Sequence, residues 1–239
     1  MDSIYTGQKK VLSISSGAFI AQVFGWMTLG LLLTASVAGL IIFFGLRSDS
    51  FLMLVTSLSL PAIIIQLLLV IILSALGRKL NGFFASVLFV VYSLFTGVTV
   101  GVIGINYQIS SLFLAFVISS IMFLVLALYG LLTKQDLSRW KAVGIFALFG
   151  IIILSIINFL LYLFNSSLFS TLNMILNYVI VIVFSILIAS ETNQLKKLAY
   201  EAEASGRGYA RYAIIGALDL YLDFINLFLS VLRITGRRN

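Results

Sequence analysis

The chain has 239 residues, of which 62% are hydrophobic and only 10% charged, with a formal net charge of +7. Its mean hydropathy is +1.18. A soluble domain is nearer half apolar and a quarter charged, so this composition excludes a water-soluble enzyme. With one Pro and 20 Phe it is neither linker-like nor disordered. Cys and His are both absent, which removes disulfides, Cys/His zinc sites, haem histidines, Ser-His or Cys-His nucleophiles and imidazole proton relays.

Apolar runs of about 20 residues are long enough to cross a hydrocarbon core roughly 30 Å thick. After an N-terminal tail at 1–17, seven such runs follow, at 18–46, 51–77, 82–105, 109–133, 143–164, 168–190 and 212–232. The connections are short, so consecutive spans are antiparallel neighbours. The expectation is an all-α polytopic membrane bundle, one transmembrane domain over 18–239. Lys9 and Lys10 imitate the basic start of a signal peptide. The run after them is too long and lacks a small-residue cleavage site, so it reads as a retained first span.

Basic residues mark the cytoplasmic side. Lys9 and Lys10 precede span 1, Arg78 and Lys79 follow span 2, Lys134, Arg139 and Lys141 follow span 4, and Lys196, Lys197, Arg207 and Arg211 follow span 6. The alternate connections carry Arg47 against Asp49 and otherwise no charge around Asn106 or at 165–171. The N-terminus is therefore expected inside. Arg233, Arg237 and Arg238 follow span 7 and oppose this pattern if that span crosses fully, leaving open a re-entrant last segment. Loops facing anionic headgroups account for the positive charge without a nucleic-acid partner.

Several features read as structural. Pro61 and Gln66 in span 2 suggest a kink with locally satisfied backbone. Gly25, Gly30 and Gly39 in span 1, with Gly97, Gly101 and Gly104 in span 3, suggest close helix approach. Asp136 or Ser138 suits an N-cap for span 5. Glu201 and Glu203 with Lys196 and Lys197 read as a solvated loop face. Asn165-Ser166-Ser167 is formally a glycosylation sequon in a very short loop.

Chemistry concentrates in the last two spans. An ionisable group inside a bilayer costs about 2.5 to 3.5 kcal/mol on insertion scales and is a functional candidate by default. Most charges here sit at span ends; Asp219, Asp223 and, at the inner end of span 6, Glu191 do not. Gly216, Asp219, Asp223, Asn226, Ser230 and Arg233 recur at steps of three and four. They form one polar face, which must meet protein or a water path. With Arg211 as interfacial anchor, Asp219 lies roughly 12 Å deep and Asp223 roughly 18 Å. Mutual repulsion and desolvation both favour a retained proton at such a pair, so the cluster can sense pH without histidine. The same oxygens suit calcium, which takes about six to eight hard ligands, so Glu191, Asp219 and Asp223 are also candidate cation ligands. Asn226, Ser230 and Arg233 are candidate pathway-lining residues, with Arg233 alternatively a snorkelling anchor.

The run Gly216-Ala217-Leu218-Asp219-Leu220-Tyr221-Leu222-Asp223-Phe224-Ile225-Asn226-Leu227-Phe228, ending in Leu232-Arg233, resembles the C-terminal signature of the Bax inhibitor-1 family. Supporting segments fall in that family's order: Phe24-Gly25-Trp26-Met27 with Gly30-Leu31-Leu32-Leu33-Thr34, then Tyr92 and Gly97, then Ala115-Phe116, Tyr129-Gly130 and Thr133-Lys134-Gln135-Asp136-Leu137-Ser138, then Glu191-Thr192-Asn193 with Leu195-Lys196. The resemblance implies a central last helix wrapped by the other six. It also implies a pH-sensitive calcium leak in which an acid near the end of span 6 pairs with the Asp of Leu-Asp-Phe-Ile-Asn. Those positions are Glu191 and Asp223, and this chain has Glu191-Thr192-Asn193 where the family usually has Asp-Thr-Gln.

Three functions compete at this stage. The first is a passive, proton-gated cation path with calcium as the permeant ion and no tightly bound cofactor. The second is a non-conducting regulator that binds another membrane protein, such as a protease or a cell-death component. An intramembrane aspartyl protease is disfavoured, because Gly216-Ala217-Leu218-Asp219 lacks the Gly-x-Gly-Asp run of that class. The absence of Cys fits a bacterial cytoplasmic membrane; a eukaryotic relative would sit in the endoplasmic reticulum.

Overall fold

The computed structural model describes residues 2–76, 79–164, 168–204 and 209–239, with 2–16 and 209 as backbone alone. Lys9, Lys10, Arg78, Arg207 and the sequon at 165–167 lie outside the residues whose side chains are described. Seven helices occupy the described residues: α1 (Asp2–Gly45), α2 (Asp49–Leu76), α3 (Gly82–Gly104), α4 (Ile109–Leu132), α5 (Ser138–Leu163), α6 (Leu168–Ala204) and α7 (Tyr209–Thr235). All seven are long and apolar enough to cross a membrane. Their outer faces are hydrocarbon: Leu132, Phe146 and Phe113 are 78%, 77% and 69% exposed, the surface that lipid covers. α7 differs from the rest. Within its apolar window 72% of residues are buried, against 11% in α2, as a central helix requires.

The chain packs as two compact units, residues 1–105 with 195–221, and residues 106–194 with 222–239. In the first, α1 and α3 approach so closely that a Cβ on Gly97 would stand 2.6 Å from the Val37 Cβ, and one on Gly101 2.8 Å from the Ile41 Cβ. A Cβ on Gly30 would meet the Phe89 ring at 2.7 Å, whereas Gly25 and Gly39 face open space. The close-approach expectation therefore holds for Gly30, Gly97 and Gly101 and is corrected for Gly25 and Gly39, which lie on the outward side of α1. Gln66 marks an interhelical bond: its Nε2 donates to Thr99 Oγ1 of α3 at 2.8 Å. Pro61 lies inside an α2 that runs unbroken to Leu76.

A hydroxyl and aromatic knot closes this unit. Tyr221 of α7 is fully buried, and its hydroxyl meets Thr34 Oγ1 of α1 at 2.5 Å. Thr34 also reaches the Ser93 carbonyl oxygen of α3, 2.9 Å away. The rings of Phe89 and Tyr92 stand edge-on to Tyr221 at 5.6 and 5.8 Å, the geometry that ring quadrupoles favour. The last part of α6 belongs here too. Its 37 residues outrun the expected span, and Leu195, Ala199 and Ala202 are buried. That apolar spacing of four and three makes a helical stripe, so Lys196, Lys197, Glu201 and Glu203 stand on a helix rather than on a loop. Arg211, expected as an interfacial anchor, is instead 6% exposed, with its guanidinium 5.2 Å from the Tyr212 ring centroid.

In the second unit α5 and α6 share a core of Ile151, Leu176, Val183, Phe184 and Leu187, and Asn158 Nδ2 donates to Asn173 Oδ1 at 3.3 Å. Phe116 and Phe123 of α4 stack edge-on against Phe224 of α7 at 6.0 and 5.7 Å. The chain end is clasped onto residues 106–108. The Gln108 N–H donates to the Arg237 carbonyl and the Asn239 N–H to the Asn106 carbonyl, Tyr107 and Arg238 form an antiparallel bridge, and the Arg237 N–H donates to Ser111 Oγ. A continuous helix of 27 residues spans about 40 Å. Its end is fixed at the turn before α4, and the unbroken helix is long and apolar enough to cross a membrane. The arginines after it gather at that turn.

Candidate functional site

The end of α4, the start of α5 and the body of α6 are stitched by one side chain, whose bonds the sequence pattern did not reveal. Asn193, two residues beyond Glu191, donates from Nδ2 to the Gly130 carbonyl at 3.1 Å and to the Gln135 carbonyl at 3.2 Å. Its Oδ1 accepts from the Leu137 N–H at 3.2 Å. These bonds take up a carbonyl from the last turn of α4, a carbonyl of the connecting turn and the N–H of the residue that caps α5. Gly130 lets α4 touch α6, since a Cβ there would run into the Ala189 backbone carbonyl. Asp136 completes the turn, accepting from the Ser138 N–H at 3.0 Å and from Ser138 Oγ at 2.6 Å. Leu137, not Asp136 or Ser138, is the N-cap residue of α5, and it makes no side-chain cap bond.

This frame positions Glu191. Its Oε1 lies 3.4 Å from Lys141 Nζ, with side-chain exposures of 12% and 25%. The buried Oε2 has no hydrogen-bond partner among the described residues. Helix α5 begins at Ser138, so Lys141, which the charge pattern placed in a loop, sits in its first turn facing α6. The sequence offered a signal: Lys141 follows the Asp136-Leu137-Ser138 start by one turn, so its direction was readable once the helix start was fixed.

Along α7, Asp223 is 4% exposed and Ser230 2%. Asp219 and Asn226 are half-buried, and Asn226 Nδ2 is turned back to the Leu222 carbonyl of its own helix at 2.8 Å. Arg233 is exposed in the last turn, so the buried polar face ends at Ser230. α7 is buried on its apolar faces as well, with Leu218, Leu220, Leu227 and Leu232 almost inaccessible. Among the described residues no group of three or more acidic side chains is placed to hold a metal ion. Glu191 is paired with Lys141, and Asp219 and Asp223 lie one turn apart on α7.

The family profile described as "Inhibitor of apoptosis-promoting Bax1" matches residues 17–239. The chain is 42% identical over 224 residues to the inner membrane protein YbhL of Escherichia coli strain K12, covering 92% of each chain. It is 35% identical over 222 residues to a membrane protein of Streptococcus pyogenes serotype M1, covering 92% of this chain and 93% of the relative. A protein of Deinococcus radiodurans is 35% identical over 239 residues, 100% of this chain and 98% of its own length.

Proposed function

Because the chain belongs to the Bax inhibitor-1 family of integral membrane proteins, we propose that it is a passive, pH-sensitive cation leak with calcium as the permeant ion, gated by carboxyl groups of α6 and α7. The observation that carries this reading is that two acids, Glu191 at 12% side-chain exposure and Asp223 at 4%, are withdrawn from solvent in an apolar bundle. Carboxyl groups held there change charge with pH, and a change of charge in a low-dielectric interior is costly enough to rearrange helices. The proposed closed state joins Glu191 to Asp223 through a shared proton, which holds the two helices together; in this structure Glu191 is paired with Lys141. When the shared proton leaves, like charges repel and draw water, and the path opens. Lys141 is the counter-ion that keeps Glu191 oriented. Asp219, one turn from Asp223, and Asn226 and Ser230 further along α7 offer oxygens to a passing cation.

We place the protein in a bacterial cytoplasmic membrane, N-terminus inside, consistent with the basic loops and with the inner-membrane name of its Escherichia coli relative. Calcium entry into liposomes containing the purified protein, measured across a pH series, tests the proposal. Flux above that of protein-free liposomes is expected. Flux equal to theirs, with a stoichiometric membrane-protein partner captured by crosslinking, would establish the non-conducting regulator instead.

A further inference from the structure

A cleft of about 340 Å³ opens where α4 ends and α5 begins, lined among others by Tyr129, Gln135, Leu137, Trp140, Ile186 and Ala189. That volume is within the range of ligand clefts, roughly 300 to 1,000 Å³. Three features define what fits it. The walls are mostly apolar, and two aromatic side chains, Tyr129 near the end of α4 and Trp140 in the first turn of α5, are each about half exposed. Aromatic residues at helix ends mark headgroup depth. Next to the lining residues in sequence stand exposed Lys134, in the turn, and exposed Arg139, in the first turn of α5, which make no ion pair among the described residues, while Lys141 is committed to Glu191. The turn also holds one carboxylate, Asp136, which accepts from Ser138, so Lys134, Asp136 and Arg139 together carry a net charge of +1.

We propose that this cleft binds an anionic phospholipid, one acyl chain lying against Leu137, Ile186 and Ala189 and the phosphate meeting Lys134 and Arg139. An apolar lining and cations on the residues adjoining it match the two halves of such a lipid. A zwitterionic lipid would bring its own ammonium group towards those cations. Basic pockets between membrane helices hold acidic headgroups by this division of labour. None of the residues that line the cleft is a gating carboxyl, and lipid selectivity is read without ion flux, so its fate and that of the leak proposal separate.

The chain has two tryptophans, and Trp26→Phe leaves Trp140 as the sole reporter. In bilayers of phosphatidylcholine, phosphatidylglycerol with brominated acyl chains, added as a minor component, is expected to quench Trp140 about fivefold more effectively than brominated phosphatidylcholine, since Lys134 and Arg139 less Asp136 leave one net positive charge, worth roughly that factor near the surface. Lys134→Ala with Arg139→Ala should abolish the difference. In parallel, native mass spectrometry of the unaltered protein released from mixed micelles should retain phosphatidylglycerol in preference to phosphatidylethanolamine. Equal quenching by both brominated lipids, equal retention of both headgroups, or a preference that survives the double substitution would overturn the proposal.

Discussion

Lys141 Nζ stands 3.4 Å from Glu191 Oε1, joining the first turn of α5 to α6 at a point where the neighbouring Glu191 Oε2 is buried without a hydrogen-bond partner among the described residues. Removing one member of such a pair strands the other charge in a poorly hydrated place, whereas removing both charges relieves the cost. Both side chains retain some exposure, which moderates the effect. Lys141→Met is expected to destabilise the protein by about 1 to 3 kcal/mol. The Lys141→Met, Glu191→Gln double variant should recover much of that loss. Thermal unfolding in one detergent for the two single variants and the double variant reads the coupling directly.

The Tyr221 hydroxyl lies 2.5 Å from Thr34 Oγ1. Tyr221→Phe keeps the ring and its edge-on neighbours but removes this bond, at an expected cost of about 1 to 2 kcal/mol. Because Thr34 also reaches the Ser93 carbonyl oxygen, Thr34→Val should cost more than Tyr221→Phe. The two substitutions together should cost less than their sum. Additive losses would show that the hydroxyls act separately.

Glycines on the same kind of helix are expected to differ sharply. A methyl on Gly130 would meet the Ala189 backbone carbonyl, which cannot swing aside, whereas one on Gly25 meets nothing within 4 Å among the described residues. Gly130→Ala should therefore cost about 1 to 3 kcal/mol or prevent folding, and Gly25→Ala should stay within about 0.5 kcal/mol of the parent. Folded yield by size-exclusion chromatography, followed by melting, distinguishes them.

The clasp of Arg237 to Asn239 on residues 106–108 supplies backbone partners to the turn before α4. Deleting residues 236–239 should leave the seven helices in place and speed amide hydrogen exchange at Gln108, whose N–H donates to Arg237. Unchanged exchange there would mean that the clasp does not form in the membrane.

The seven spans were legible because hydrocarbon length is a blunt requirement, and the runs from 18 to 232 meet it without ambiguity. The extension of α6 beyond residue 190 was not, because its buried stripe of Leu195, Ala199 and Ala202 is interleaved with Lys196, Lys197, Glu201 and Glu203; charge density masked the period. The withdrawal of Glu191 and Asp223 from solvent was visible as the cost of placing acids in a membrane. The side chains that organise the surroundings of Glu191 were not. Lys141 looked like a loop charge until the start of α5 was known, and Asn193 looked like an ordinary polar residue because its bonds run to backbone atoms of distant residues. Burial of Arg211 was hidden for a similar reason: position near a span end suggests solvent, and only packing decides otherwise. The polar face of α7 was correctly periodic, but its last member, Arg233, lies at the exposed end of the helix.

The gating account is tested most directly by calcium flux into liposomes as a function of pH, for the parent protein beside Asp223→Asn. The account predicts parent flux that rises as pH rises through the range where the carboxyl pair loses its proton, and an Asp223→Asn profile that is flat over the same range. An Asp223→Asn protein whose flux follows the parent's pH dependence would contradict it.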